Sequence, residues 1–324
     1  MRVPDFMYKC IAFVGEEAHR DGLKSYGDVL ATGFFIAVPS RVPGKIYSYF
    51  VTARHVVEHL VGRESCLFLN LKNGGVALSA IDTPERWFFH PTDATADVAV
   101  ITVALPPEID VLHIPVDDLL TVEAMDEYGI GIGDEVFITG LFSPALGARR
   151  TQAIIRTGNL AMLPSEQTQT AKGFADVYLI EARSIGGLSG SPIFVRDTIY
   201  TDVNLAHRDK PEKTRRVRVG GTSYRPFLLG LVQGHWDIDE SRINSPTVVH
   251  DSRRGVNMGI AIVVPATKIL EIINMPEVKN EREARDNELI QKSLPTEDLL
   301  KSEPFTKADF EDALRKASRK TDDK

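Results

Sequence analysis

Residues 185–195 read Ile-Gly-Gly-Leu-Ser-Gly-Ser-Pro-Ile-Phe-Val, a serine framed by glycines that runs through a proline into a short apolar strand. Ser189 stands between Gly187 and Gly190. Glycine permits backbone conformations closed to other residues, and flanking glycines leave the hydroxyl accessible. In such a turn the N–H groups of Gly187 and Ser189 can converge on one point. Two preorganised donors there would stabilise an oxyanion, and loss of one donor costs about 3 kcal/mol. A glycine-rich turn without chemistry is the alternative that this motif alone leaves open.

Working outward, short apolar runs bounded by turn residues recur from the start to about residue 275. CIAFV (10–14), TGFFIAV (32–38), YSYFVTA (47–53), CLFLNL (66–71) and VALSAI (76–81) are rich in β-branched and aromatic residues. DVAVITV (97–103), EVFITGL (135–141), AIIRTGNL (153–160), VYLIEA (177–182), PIFV (192–195), FLLGLVQG (227–234) and GIAIVV (259–264) continue the series. With little helix between them, these runs predict an all-β chain of antiparallel sandwiches or barrels. Strand–helix alternation of the parallel α/β kind is missing.

The proline-rich, acidic stretch beginning LPPEIDVLHIPVDDLL at Leu105 interrupts that rhythm and predicts a connection between two β domains, residues 1–117 and 118–275. Residues 276–324 are mostly charged, with weak amphipathic stretches such as DFEDALRKASRK. They are expected to be a disordered or partly helical tail outside the core. The segment HRDKPEKTRRVRVGG (207–221) predicts an exposed, solvated loop; a basic binding patch is its other reading.

The chain has 324 residues, 43% hydrophobic and 26% charged, enough to bury a sizeable core. Its net charge of -7 gives no reason to expect nucleic acid as a partner. Two cysteines, Cys10 and Cys66, argue against a disulfide-stapled scaffold and predict small core residues. Asp5, Lys9, Glu16 and Glu17 stand where the apolar region of a signal peptide would run, and no stretch is long and apolar enough for a membrane span. The expectation is a cytoplasmic protein without a membrane partner.

Two further motifs carry chemistry. In YFVTARHVVEHL a strand runs into Ala53-Arg54-His55, so that an imidazole at a strand end is aimed while its base is fixed. Alone, the motif reads as a surface or satisfied core histidine, as most single histidines are. In TADVAVITVAL, Asp97 opens an apolar strand, is drawn inward with it and needs a partner such as an imidazole N–H. The end of a turn after Pro91 and Asp93 is the alternative. The three motifs follow the order His, Asp, Ser. His59, Asp93, Ser184 and Ser191 are weaker candidates, lacking the motif, the strand or the flanking glycines.

TARH (52–55), DVAVI (97–101) and GLSGSP (187–192) resemble the signature set of trypsin-like serine peptidases. The cleaner similarity is to the bacterial Deg/HtrA-type branch, at Gly133-Asp134-Glu135-Val136, Glu181-Ala182 and Gly259-Ile260-Ala261-Ile262. The resemblance covers about residues 8 to 273. It implies two six-stranded antiparallel β-barrels with a C-terminal helix, His55, Asp97 and Ser189 as the catalytic triad, Gly187 and Ser189 as the oxyanion hole, and no metal or cofactor. Three departures stand out. Leu188 replaces the Asp that pairs with a cut N-terminus in digestive enzymes, Ser191 replaces a second Gly, and only the charged tail follows where a PDZ domain would stand.

The activity so implied is serine endopeptidase, with a protein or peptide as substrate. The substrate backbone is expected to pair with the strand around Gln233, Gly234 and His235. Arg183, six residues before Ser189, either sets the floor of a pocket for acidic side chains or points to solvent. His235 either lines that pocket or is structural beside Trp236. A regulatory protein partner is expected for a peptidase without a visible pro-segment. The other function class is a catalytically silent binding module of the same fold.

Overall fold

The computed structural model describes residues 3–20, 23–81, 84–142, 147, 149–182, 187–196, 226–239 and 255–293. Arg183, Ser184, the basic stretch 207–221 and the segment DFEDALRKASRK lie outside them.

After a short helix α1 (Phe6–Lys9), the first sheet contains β1 (Ile11–Arg20), β2 (Leu23–Pro39), β3 (Ile46–Thr52), β4 (Ser65–Asn70), β5 (Val76–Ala80), β6 (Trp87–Phe89), β7 (Ala99–Val103) and β8 (Ile114–Pro115). Helix α2 (Arg54–Leu60) follows β3 directly. The strand order is β5-β4-β1-β2-β3-β7-β6, with β8 added in parallel on β2. β3 reads eBiBBBB from Ile46 to Thr52, so it is buried on both faces towards its C-terminal end.

Helix α3 (Val122–Tyr128) leads into the second sheet: β9 (Glu135–Gly140), β10 (Ile154–Met162), β13 (Tyr178–Glu181), β14 (Pro192–Val195), β15 (Phe227–Asp239) and β16 (Gly255–Pro265). These six strands close into a barrel in the order β10-β13-β16-β15-β14-β9. A separate hairpin is formed by β11 (Thr168–Thr170) and β12 (Gly173–Ala175). Threonine at position 121 caps α3, its hydroxyl accepting from Ala124 N, and Gly129 ends it in the left-handed region.

The expected pair of six-stranded barrels is met by one closed barrel and one eight-stranded sheet. In the latter, the path of strands ends at β5 and β6 without closing among the described residues. A 3-10 turn (Pro84–Arg86) separates these two end strands, and β6 is only three residues long. Within that connection the Trp87 indole N–H donates to Ile81 O at 3.4 Å. The stretch predicted to be only a connection, from Leu105 onward, also supplies β8 to the first sheet. It then reaches the barrel at Leu119 and Leu120, the latter donating to Leu228 O.

The largest core cluster joins the sheets. Phe34, Phe35, Phe50, Val51 and Ile101 of the first meet Phe194, Leu228, Leu231 and Val264 of the second. Helix α4 (Ala266–Ile273) leaves the barrel after β16 and buries Ile269, Ile272 and Ile273 in that cluster. Cys10 and Cys66 are both buried, and burial pushes the Cys10 thiol up.

Helix α5 (Pro276–Ser293) belongs to the segment the sequence keeps out of the core, yet it packs back on the first sheet. Val278 is fully buried. The Arg282 guanidinium donates to Tyr49 Oη and Ile273 O, both at 2.8 Å, and lies over the Tyr49 ring. Asp286 accepts from Ser40 Oγ, Tyr47 Oη, Arg41 N and Arg41 Nε. Burial raises the Asp286 carboxyl, but these donors outweigh it and hold the group well below the usual range.

Phe50 is fully buried between Phe35 and Trp87, at centroid distances of 5.1 and 6.4 Å. Phe50→Ala should lower the unfolding free energy by about 3–5 kcal/mol in chemical denaturation. A loss below about 1 kcal/mol would contradict the tight packing described here.

Candidate active site

β3 ends at Thr52, and Ala53 begins α2 with extended backbone, φ -72° and ψ 141°. Val56, Val57 and Leu60 bury one face of the helix, which fixes its first turn and with it His55. A helix leaves its first N–H groups without helical partners. Here one is taken by a carboxylate: His55 N donates to Asp97 Oδ1 at 2.9 Å. The other oxygen, Asp97 Oδ2, lies 2.6 Å from His55 Nδ1.

Asp97 precedes β7 by two residues rather than opening it, but its side chain is fully buried, as the apolar context implies. The His55 side chain is 38% exposed. A buried carboxylate therefore uses both oxygens on one histidine, orienting the ring and leaving its Nε2 edge towards solvent. With the ring N–H of Nδ1 given to Asp97, Nε2 is the acceptor.

Ser189 comes from the other sheet. The turn 187–190 enters β14, and its backbone is tied to β2. Thr32 N donates to Ser189 O at 3.0 Å, and Thr32 Oγ1 donates to Gly187 O at 3.1 Å. Thr32 Oγ1 also accepts from Leu141 N at 2.9 Å, while Thr32 O accepts from Thr52 Oγ1 at 2.7 Å. One buried threonine thus links the serine turn to the residue three before His55.

Two glycines are required by this arrangement. Gly190 has φ +78°, and a Cβ there would meet Thr32 O at 2.2 Å, Thr52 Oγ1 at 2.4 Å and Ala53 N at 3.0 Å. Gly187 has φ +94°, and a Cβ there would meet the Leu141 side chain at 2.9 Å. The close approach of Gly190 to Ala53 seats Ser189 beside the chain that carries His55. The Ser189 hydroxyl itself donates to Gln233 O at 3.5 Å, and no hydrogen bond joins it to the His55 ring.

Of the other expected residues, Gln233, Gly234 and His235 lie on β15 past the end of its ladder with β14, which stops at Pro192–Leu231. Gly190 N and Val232 O, then Val232 N and Ser191 O, complete that junction. A bulge falls between Val232 and Gly234, and Gly234 and His235 pair with β16. Gln233 is buried, and its Oε1 has no hydrogen-bond partner. Leu188 is buried against Gly140. Ser191 is fully buried beside Gly140, which removes it from solvent. Asp93 bonds its own loop and Lys268, and His59 is exposed on α2.

Sequence reading misses Thr32 and Thr52, because nothing local marks a threonine as a hub between distant strands. It also misses Lys172 of the β11–β12 turn, whose Nζ reaches Glu58 of α2 at 2.9 Å, while Glu58 also pairs with Arg54. Those two cations hold the Glu58 carboxyl below its ordinary range. Among the described residues, no group of three His, Cys, Asp or Glu side chains is placed to hold a metal ion.

The chain is similar in fold to solved protease domains. The MamO protease domain from Magnetospirillum magneticum, in its apo form, is 14% identical, with a TM-score of 0.46 over 82% of this chain and 96% of that one. The Rv3671c protease from M. tuberculosis is 16% identical in its active form, with a TM-score of 0.39 over 82% of this chain and 80% of that one. Its inactive form is 15% identical, with a TM-score of 0.37, over 82% and 88% of the two chains. Likeness this distant carries no argument about chemistry, which rests on the geometry above. No family model matches the chain, and no curated protein matches it.

Gly190→Ala places a side chain in the left-handed region and against Thr32 O. It should lower the unfolding free energy by about 2–4 kcal/mol, strain and overpacking together. Thermal and denaturant unfolding of this variant read the effect. A stability equal to wild type would mean that the turn does not press on Ala53.

Proposed function

We propose that the chain is a serine endopeptidase in which Ser189 attacks a peptide carbonyl, His55 is the general base and Asp97 orients the imidazole. The observation that carries this reading is the buried Asp97 carboxylate. It is bonded to both the main-chain and ring nitrogens of His55, while the turn of Ser189 is seated against Ala53.

In this reading a substrate carbonyl enters beside Ser189 Oγ, with its oxygen towards the N–H groups of Gly187 and Ser189. Rotation about χ1 turns the hydroxyl from Gln233 O towards the ring; such bonds are often loose before substrate arrives. His55 takes the proton as the Ser189 oxygen bonds to the carbonyl carbon, and Asp97 stabilises the imidazolium that results. The N–H groups of Gly187 and Ser189 receive the oxyanion. His55 then gives its proton to the leaving amine, forming the acyl-enzyme, and the cycle repeats with water as nucleophile.

The unladdered edge of β15 at Gln233 and Gly234 suits a substrate strand added in antiparallel fashion, with no Cβ at Gly234 to obstruct it. His235 borders that edge; a preference for acidic side chains is the expectation that Arg183, outside the described residues, brings to this reading. Residues 1–117 and 118–275 supply the two halves of the site.

One observation favours the second reading, a silent binding module: the Ser189 hydroxyl pairs with Gln233 O and not with the His55 ring. A fluorophosphonate probe separates the two. The peptidase reading expects labelling of the wild type that vanishes in Ser189→Ala and in His55→Ala. For a cleaved peptide, His55→Ala should lower kcat by about 10⁴ to 10⁶. A folded wild type that stays unlabelled and cleaves nothing would support the module instead.

A further inference from the structure

One buried ionisable group that the proposed reaction does not use, His90, opens the loop His90–Ala96 that precedes Asp97. His90 is buried, and its Nδ1 accepts from Asp93 N at 3.0 Å. An acceptor at Nδ1 leaves the ring proton on Nε2, which faces Glu271 Oε2 on α4. Asp93 Oδ1 accepts from Thr95 N at 3.0 Å, Thr95 Oγ1 at 2.6 Å and Ala96 N at 3.2 Å. Its other oxygen meets Lys268 Nζ, again on α4, at 2.9 Å. Lys268 lies 3.9 Å from Glu271, which closes the ring of polar contacts.

The loop has little else to hold it. Between the buried ends His90 and Ala96, Pro91, Thr92 and Ala94 are exposed and Asp93 and Thr95 half-buried. The loop's shape therefore comes from its polar bonds, and through Lys268 and Glu271 those bonds end on a helix anchored by fully buried isoleucines. The last links are Asp93 Oδ1 to Ala96 N, then Ala96 O to Val98 N at 2.9 Å, on either side of Asp97.

We propose that His90, Asp93, Lys268 and Glu271 form a clamp by which α4 positions the Asp97 carboxylate for its two bonds to His55. They are positioning residues and touch no reacting atom. The clamp recasts Asp93, the weaker acid candidate of the sequence, as the anchor of the acid that is used. It also couples the end of the second sheet to the half of the site carried by the first. Only its kinetic readout rests on the peptidase reading.

Burial raises the Asp93 carboxyl, but the bonds from Thr95 and Lys268 and the lysine charge outweigh it, taking the group from 3.8 to about 2. A carboxyl depressed on folding contributes stability above its unfolded value, and this is lost as pH falls through the folded one. The clamp should therefore hold at neutral pH and loosen between about pH 4 and pH 2.

The test compares Lys268→Met, Lys268→Arg and Glu271→Ala with the wild type, all shown to be folded by circular dichroism. Proton NMR of the His55 Nδ1–H, assigned by its absence in His55→Ala, reports the bond to Asp97 without turnover. The clamp expects this resonance to broaden or move upfield in Lys268→Met and Glu271→Ala, and to return in Lys268→Arg. Fluorophosphonate labelling should slow on the order of 10- to 100-fold in the first two variants, as misplacement of a catalytic group predicts. For a cleaved peptide, kcat should fall while KM holds. A wild-type resonance in folded Lys268→Met and Glu271→Ala overturns the clamp. A wild type that the probe does not label overturns the peptidase reading instead, and the resonance still decides the clamp.

Discussion

Everything at the site hangs on the four hydrogen bonds of Thr32. Its main-chain N–H holds Ser189 O, its hydroxyl joins Gly187 O to Leu141 N, and its carbonyl receives Thr52 Oγ1. The residue is fully buried, so each of these groups would be costly to leave unpaired. Because Thr32 sits on β2 and Thr52 ends β3, register in the first sheet sets where the serine turn of the second must lie. That is a constraint between two sheets, delivered through the side chain and main chain of one residue.

The second constraint is the division of Asp97 between structure and chemistry. One oxygen caps the first turn of α2 and the other receives the His55 ring, so the same carboxylate fixes the backbone and the imidazole together. Its position depends in turn on the polar loop before it. The large shared core, in which α4 is buried among strands of both sheets, keeps the two halves from drifting. Glycine at 190 makes the final approach possible, since any side chain there would occupy the space of Thr32 O and Thr52 Oγ1.

The residues of the candidate site were legible because their signals are local. Glycines around Ser189, a histidine at a strand end and an acid beside an apolar strand each impose a need that neighbours in sequence reveal. The strands were legible for the same reason, through short runs such as TGFFIAV and DVAVITV. What stayed hidden depends on partners far along the chain. Helix α5 has no apolar stripe; Asp286, Arg282 and the hydroxyls of Tyr47 and Tyr49 hold it, and no periodicity announces such contacts. β6 and β8 are too short to show alternation. Closure of the first barrel was carried over from the resemblance, and among the described residues its strand path runs from β5 to β6 without closing. Thr32 looks like any threonine in a strand.

The central claim is that these three side chains form an acyl-transfer centre, and an acyl-enzyme is its most direct signature. Stopped-flow mixing with an activated ester should release a burst of leaving group equal to the enzyme present, followed by slower turnover, with the acyl group recovered on the peptide containing Ser189. A linear trace without a burst, at the rate given by Ser189→Ala, would contradict the account.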